Sequence, residues 1–233
     1  MTLKNWPIYV PAFVALLLGF ALWGLSELRR PDISSPPALS VNPSSVGTSP
    51  TAPRPAAVPT NDAEWASVQK FVQETWLVAS RHGQAQEELK KVVAALGSKG
   101  DLNGVHAGFV AHMSKLEKLL TGLDGLQIPK VDNEDTARFV AEAAESINAT
   151  LVLEMEQTDW FIKGWDQPGQ APPESVIVSS NADINRNTAH LLRSLHKIYW
   201  NYGYTDNDID EQTFKLKPDA KPQPTVTFDQ NNI

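Results

Sequence analysis

The sequence predicts an all-α protein in four parts. These are a single N-terminal transmembrane helix, a disordered proline-rich linker, an antiparallel up-down four-helix bundle and a disordered C-terminal tail. Three observations carry that expectation. Residues 6–25 contain no charge, and residues 31–60 hold eight prolines but two charged side chains. From residue 61 to residue 203, apolar side chains recur at helical spacing between glycine and proline stops. The expected segments are therefore an anchor (1–30), a linker (31–60), a bundle (61–203) and a polar tail (204–233).

The anchor runs from Trp6 to Leu25. At 1.5 Å rise per residue a helix of that length covers roughly 30 Å, the hydrocarbon thickness of a bilayer. Tyr9, Phe13, Leu16, Leu17, Leu18 and Phe20 supply its apolar surface, with Trp6, Trp23 and Leu25 toward the two ends. Aromatic rings suit the membrane interface. Gly19-Phe20-Ala21 resembles a small-x-small cleavage site, yet the apolar run continues to Leu25 and then meets Arg29 and Arg30. That is a stop-transfer pattern, so an uncleaved signal-anchor is expected instead of a cleaved signal peptide. Pro7 fits the first helical turn, whereas Pro11 removes one backbone hydrogen bond. Lys4 on one flank and Arg29 and Arg30 on the other nearly balance. The short N-terminus and the following linker favour an N-in arrangement. The expected location is the inner (cytoplasmic) membrane, single-pass, with the body periplasmic or otherwise extracytoplasmic. The absence of cysteine is compatible with an oxidising compartment.

Residues 31–60 are rich in Pro, Ser, Thr and Ala. Such a composition buries too little apolar surface to offset its ordering entropy, so a flexible tether is expected. Pro53-Arg54-Pro55 reads as part of that spacer.

Four helices follow. The first starts at Asn61, with Glu64 three residues on in a capping-box pattern, and carries Trp65, Val68, Val72, Trp76 and Ala79 on one face. Its stripe resumes at Leu89, either in one long helix or after a bend near His82-Gly83. Asp101 caps the second helix, whose face is Val105, Phe109, Met113, Leu116 and Leu120. Asp132 or Asn133 caps the third, whose face is Val140, Ala144, Ile147, Leu151 and Met155. The fourth runs from about Glu174 to Tyr202, and Gly203 stops it. Short connections make consecutive helices antiparallel. Trp65 is therefore expected near Tyr199 and Tyr202, and Trp160 and Trp165 at the opposite end. The tail is polar, with a weak strand signal at Val226-Thr227-Phe228.

Chemistry-bearing patterns are scarce. No histidine has a glutamate three residues before it, which bundle metal sites use, and the pairs His106/His112 and His190/His196 are six apart and so on different faces. Without cysteine there is no thiolate nucleophile, zinc ribbon or Cys-x-x-Cys-His haem attachment. Nucleophile-elbow, Walker A and dinucleotide-binding fingerprints are absent. Asp206-x-Asp208-x-Asp210 resembles the start of a calcium loop, but Glu211 stands where that loop needs glycine. Asn148-Ala149-Thr150 is a sequon placed mid-helix. Glu154, His190 and His196 lie on inner faces with nothing in the sequence to unite them. No catalytic, cofactor-binding or metal residues are therefore assigned, and an enzyme is not expected.

Residues 61–203 hold thirteen Lys/Arg against nineteen Asp/Glu, and the full chain carries a net charge of −7. With no basic stripe, nucleic acid is excluded as a partner. The expected function is that of a membrane-anchored, non-enzymatic accessory, scaffold or adaptor of an envelope protein complex. It would hold the membrane through residues 6–25 and dock a protein partner, and the long first helix also admits a homo-oligomer. The alternative is an extracytoplasmic bundle that senses or carries a small ligand. Trp76, Met113, Met155 and Trp160 are the candidates for its pocket or for plain core.

Overall fold

The body is built from α1 (Asp62–Gly97), α2 (Leu102–Asp124), α3 (Glu134–Asp166) and α4 (Glu174–Asn201). The structure, a computed structural model, describes residues 54–55, 62–167, 173–223 and 225–226. The anchor expected at residues 6–25, the linker apart from Arg54 and Pro55, and the cap expected at Asn61 lie outside the described residues. Among the described residues, no helix is long and apolar enough to cross a membrane.

Local chemistry sets the helix ends. The Asp101 carboxylate accepts from Gly104 N at 2.9 Å, and Asn133 Oδ1 accepts from Thr136 N at 2.9 Å. Each satisfies one of the orphan donors of a first turn. Gly203 takes φ +85° just past α4, a left-handed position that suits glycine. Through His82-Gly83 α1 is unbroken, a single helix from Asp62 to Gly97.

Contacts along the bundle make each consecutive pair antiparallel. Lys115 of α2 pairs with Glu88 of α1, Phe109 of α2 stacks on Phe161 of α3, and Asn201 of α4 donates to Thr136 of α3. The α1–α2 approach is close enough that a Cβ on Gly108 would meet Val92 Cγ1 at 2.8 Å. By contrast, α1 and α4 meet mainly through large side chains. Val68, Phe71 and Val72 of α1 join Leu195, Ile198 and Tyr199 of α4 in the main core.

The tail departs from expectation. Residues 204–223 are not a free segment; they fold back on the bundle, and Tyr204, Ile209 and Phe214 are buried in the main core. Three apolar anchors at intervals of five residues carry a segment whose average composition is polar. Local turns lower its ordering cost. Asp208 accepts from Thr205 N at 2.7 Å, Asp210 accepts from Thr213 N at 2.8 Å, and β2 (Ile209–Asp210) pairs with β3 (Lys215–Leu216). Further out, β1 (Arg54–Pro55) pairs antiparallel with β4 (Thr225–Val226). The strand signal at Val226 is thus satisfied within the chain, while Thr227 and Phe228 lie outside the described residues.

Candidate functional site

The helical repeat of α1 brings Thr75, His82, Ala85 and Val93 to the buried side. Two of those positions are polar. On α2 the buried line is Val105, Phe109, His112 and Leu116, and on α3 it includes Ile147, Leu151, Glu154 and Thr158. Each of the three helices therefore interrupts its apolar stripe once with an ionisable group, and the antiparallel register sets those groups at one height.

They meet at Glu154. Its Oε1 accepts from His112 Nε2 at 2.7 Å, and its Oε2 accepts from His82 Nε2 and, at 2.6 Å, from Gln86 Nε2. A carboxylate only accepts, so both imidazoles carry hydrogen on Nε2. His82, His112 and Glu154 are all buried, whereas Gln86 is exposed on its outer side. Burial alone would raise the Glu154 pKa. The His82 charge and the hydrogen bonds from His112 and His82 outweigh it and hold the carboxyl at about 2, well below its ordinary value of 4.5. The second ring nitrogen of His112, Nδ1, is buried without a hydrogen-bond partner.

Beside this cluster lies a cavity of about 480 Å³ between α1 and α4, in the range of small-molecule sites. Its walls are chiefly apolar, with Phe109 and Phe161 toward one end and Trp76 and Leu191 toward the other. Polar wall groups are mostly bonded to one another. Gln157 Nε2 donates to Asn181 Oδ1 at 3.0 Å, and Thr188 Oγ1 donates to Ile184 O at 2.9 Å.

Of the pocket residues expected from the sequence, Trp76 lines the cavity. Its Nε1 donates to Gln212 O at 3.0 Å, and its ring packs on Phe214 at 4.8 Å. Met113, Met155 and Trp160 are half-buried and stand outside the cavity wall. Glu154 does find histidines, but not the two considered with it. His190 bonds Ser146 at 3.2 Å, and His196 donates to Asp206 at 2.7 Å. His82 and His112 were missed because apolar counting passes over polar residues. Met113 adjoins His112 and Met155 adjoins Glu154, so counting apolar residues alone sets those stripes one position from the buried line. The detectable signal was a polar residue at a core position of three successive stripes.

Among the described residues, no group of three His, Asp or Glu side chains is arranged to hold a metal ion. The Glu154 carboxylate stands between the two rings, each oxygen engaged with a different one. The Asp206, Asp208 and Asp210 carboxylates bind His196, Thr205 and Thr213 respectively and do not converge on a shared centre. The geometry sets a buried carboxylate, held by two imidazoles, on the wall of a chiefly apolar cavity. Comparison with protein-family models, curated proteins and solved structures gives no match for this chain. Fold and site together define a four-helix bundle with an internal polar cluster and an adjoining cavity.

Proposed function

We propose that this protein is a membrane-tethered helical bundle that binds a small organic ligand in the α1–α4 cavity, with its body on the extracytoplasmic side. The observation that carries this reading is the cavity of about 480 Å³ set against the buried His82–Glu154–His112 cluster. An ionised carboxylate inside a bundle core is costly unless paired, and a plain core would use apolar residues there. Retaining one beside a cavity gives a ligand a single polar handle within an otherwise apolar wall, the usual plan of a small-molecule site. The tether is the uncharged run at residues 6–25 followed by the proline-rich linker. The adaptor role expected from the anchor–linker–bundle order rests on that layout alone. Exposed large apolar side chains such as Leu77, Val110, Ile128 and Val152 are spread over different helices and a loop.

Native mass spectrometry of the full-length chain released from its own membranes tests the proposal. A bound small molecule is expected on wild type and lost in Leu192→Trp, which fills the cavity. Wild type that carries nothing, and that no member of a small-molecule panel stabilises thermally, would sink it.

A further inference from the structure

The charges on the cavity wall answer one another, and that narrows the chemistry of a ligand. Among the described residues, five ionisable side chains line the cavity: His82, Glu87, Lys90, His112 and Glu154. They fall into two self-contained sets. Lys90 pairs with Glu87, its neighbour on α1, at 3.5 Å. His82 and His112 are the ionic partners of Glu154, one at each carboxylate oxygen. A cationic ligand would therefore compete with His82 and His112 for Glu154, and an anionic one would compete with Glu87 for Lys90. Either ion would leave water for a chiefly apolar space with no unengaged opposite charge to receive it. An ion buried without a partner of its own is the costliest group to desolvate.

The neutral polar groups are engaged as well. Gln157 donates to Asn181, Thr188 to Ile184 O, and Thr158 Oγ1 to Glu154 O at 2.8 Å. An apolar body laid against the wall leaves these bonds intact, so it strands no donor among them.

The remaining wall favours such a body. Ala79, Gly83, Gln86 and Lys90 line the cavity at spacings of three and four, which is one face of α1. Two small residues on that face leave room: a Cβ added at Gly83 would meet no atom within 4 Å. Trp76, Phe109, Phe161, Leu191 and Leu192 supply rings and branched chains for apolar contact.

Resting on the ligand-binding reading above, we infer that the cavity takes an uncharged, chiefly apolar molecule and discriminates against acids and amines of the same size. A neutral hydroxyl is the polar group it admits. Glu154 accepts three hydrogen bonds, and the two oxygens of a carboxylate offer about four positions.

Equilibrium dialysis of the full-length chain at pH 7 tests this with 2-naphthol, 2-naphthoate and 2-naphthylmethylamine. The three probes share a ring body and are neutral, anionic and cationic at that pH. The same neutral detergent stands on both sides of the membrane, so excess probe on the protein side measures binding above micelle uptake. 2-Naphthol is expected to bind at least roughly tenfold more tightly than either ion. Gly83→Leu puts a side chain where there is space and is the better helix former, so the helix should hold while 2-naphthol binding falls roughly tenfold or more. Leu192→Trp is the second cavity-filling variant, and if neither folds the wild-type ranking alone decides. An amine or acid that binds as tightly as 2-naphthol overturns the inference while leaving a ligand cavity standing. Binding of 2-naphthol that both folded variants leave unchanged places it elsewhere and overturns the inference too. Binding of none of the three overturns it and counts against the cavity reading as well.

Discussion

Two stretches of the same seam, where α1 faces α4, are built in opposite ways. Near the start of α1 and the end of α4, the gap is filled by rings. Trp65 lies 4.3 Å from Tyr202 and stacks on Tyr204 at 5.4 Å, and Tyr199 donates from its hydroxyl to Phe214 O at 2.9 Å. Further along, the residues facing the gap are His82, Gln86, Asn181 and Thr188, and a cavity remains. The helices that leave room for large aromatics at one end leave a void where the side chains are smaller and polar. The end region gains stability from burial and close packing. The middle gives some of that up in exchange for a desolvated anion and space beside it. Phe214 shows how far the packed end goes. It holds φ +53°, a left-handed conformation that costs a bulky residue on the order of 1–3 kcal/mol, while its ring is buried in the core.

If that contrast is right, truncation at the packed end is the most damaging change. Tyr199→Ala removes a fully buried ring, and a loss of about 3–5 kcal/mol is expected from chemical denaturation. A loss under about 1 kcal/mol would mean the end is not close-packed.

At the cavity, Glu154→Leu should cost nearly as much, about 3–5 kcal/mol, because it strands His82 and His112 without their acceptor. Replacing His82, His112 and Glu154 together by apolar residues should cost far less, since no buried polar group is then left alone. Urea midpoints of the single and triple variants check this, and equal losses would refute the network.

The same site predicts a pH dependence. The folded pKa of Glu154 is lowered to about 2 from 4.5, so the folded state holds this carboxylate's proton less tightly than the unfolded chain does. Its contribution to stability is full above 4.5 and is lost as pH falls through about 2. The stability gap between wild type and Glu154→Gln should therefore narrow across that acid window. A gap that is constant from pH 7 to pH 2.5 would contradict it.

Small-to-large substitution sharpens the comparison. Ala143, fully buried in the main core, has no room, so Ala143→Leu should cost about 1–3 kcal/mol. Ala79 borders the cavity, and Ala79→Leu should change stability by less than about 1 kcal/mol while weakening ligand binding. Thermal melts of the two variants decide it. Tyr199→Phe, which removes the bond to Phe214 O, should likewise cost only about 1 kcal/mol in the same melts.

Some of this was legible in the residues alone. Period-3.6 stripes, the Asp101 and Asn133 caps and the Gly203 stop depend on neighbours within a turn, so four helices, their order and their ends could be read locally. The placement of Trp65 near Tyr199 and Tyr202 followed from antiparallel order, and the rings do meet there. Tertiary structure decided the rest. A polar residue on a stripe reads as an interruption until the register of the other helices is known. His82 and Glu154 are 72 positions apart, and His112 and Glu154 are 42 apart. Only the packed bundle, which removes water from all three, turns separate blemishes in three stripes into one buried carboxylate with its donors. The fate of residues 204–223 was hidden for the same reason. Their polar composition describes the segment's own chemistry, whereas the burial of Tyr204, Ile209 and Phe214 depends on the gap that α1 and α4 leave for them.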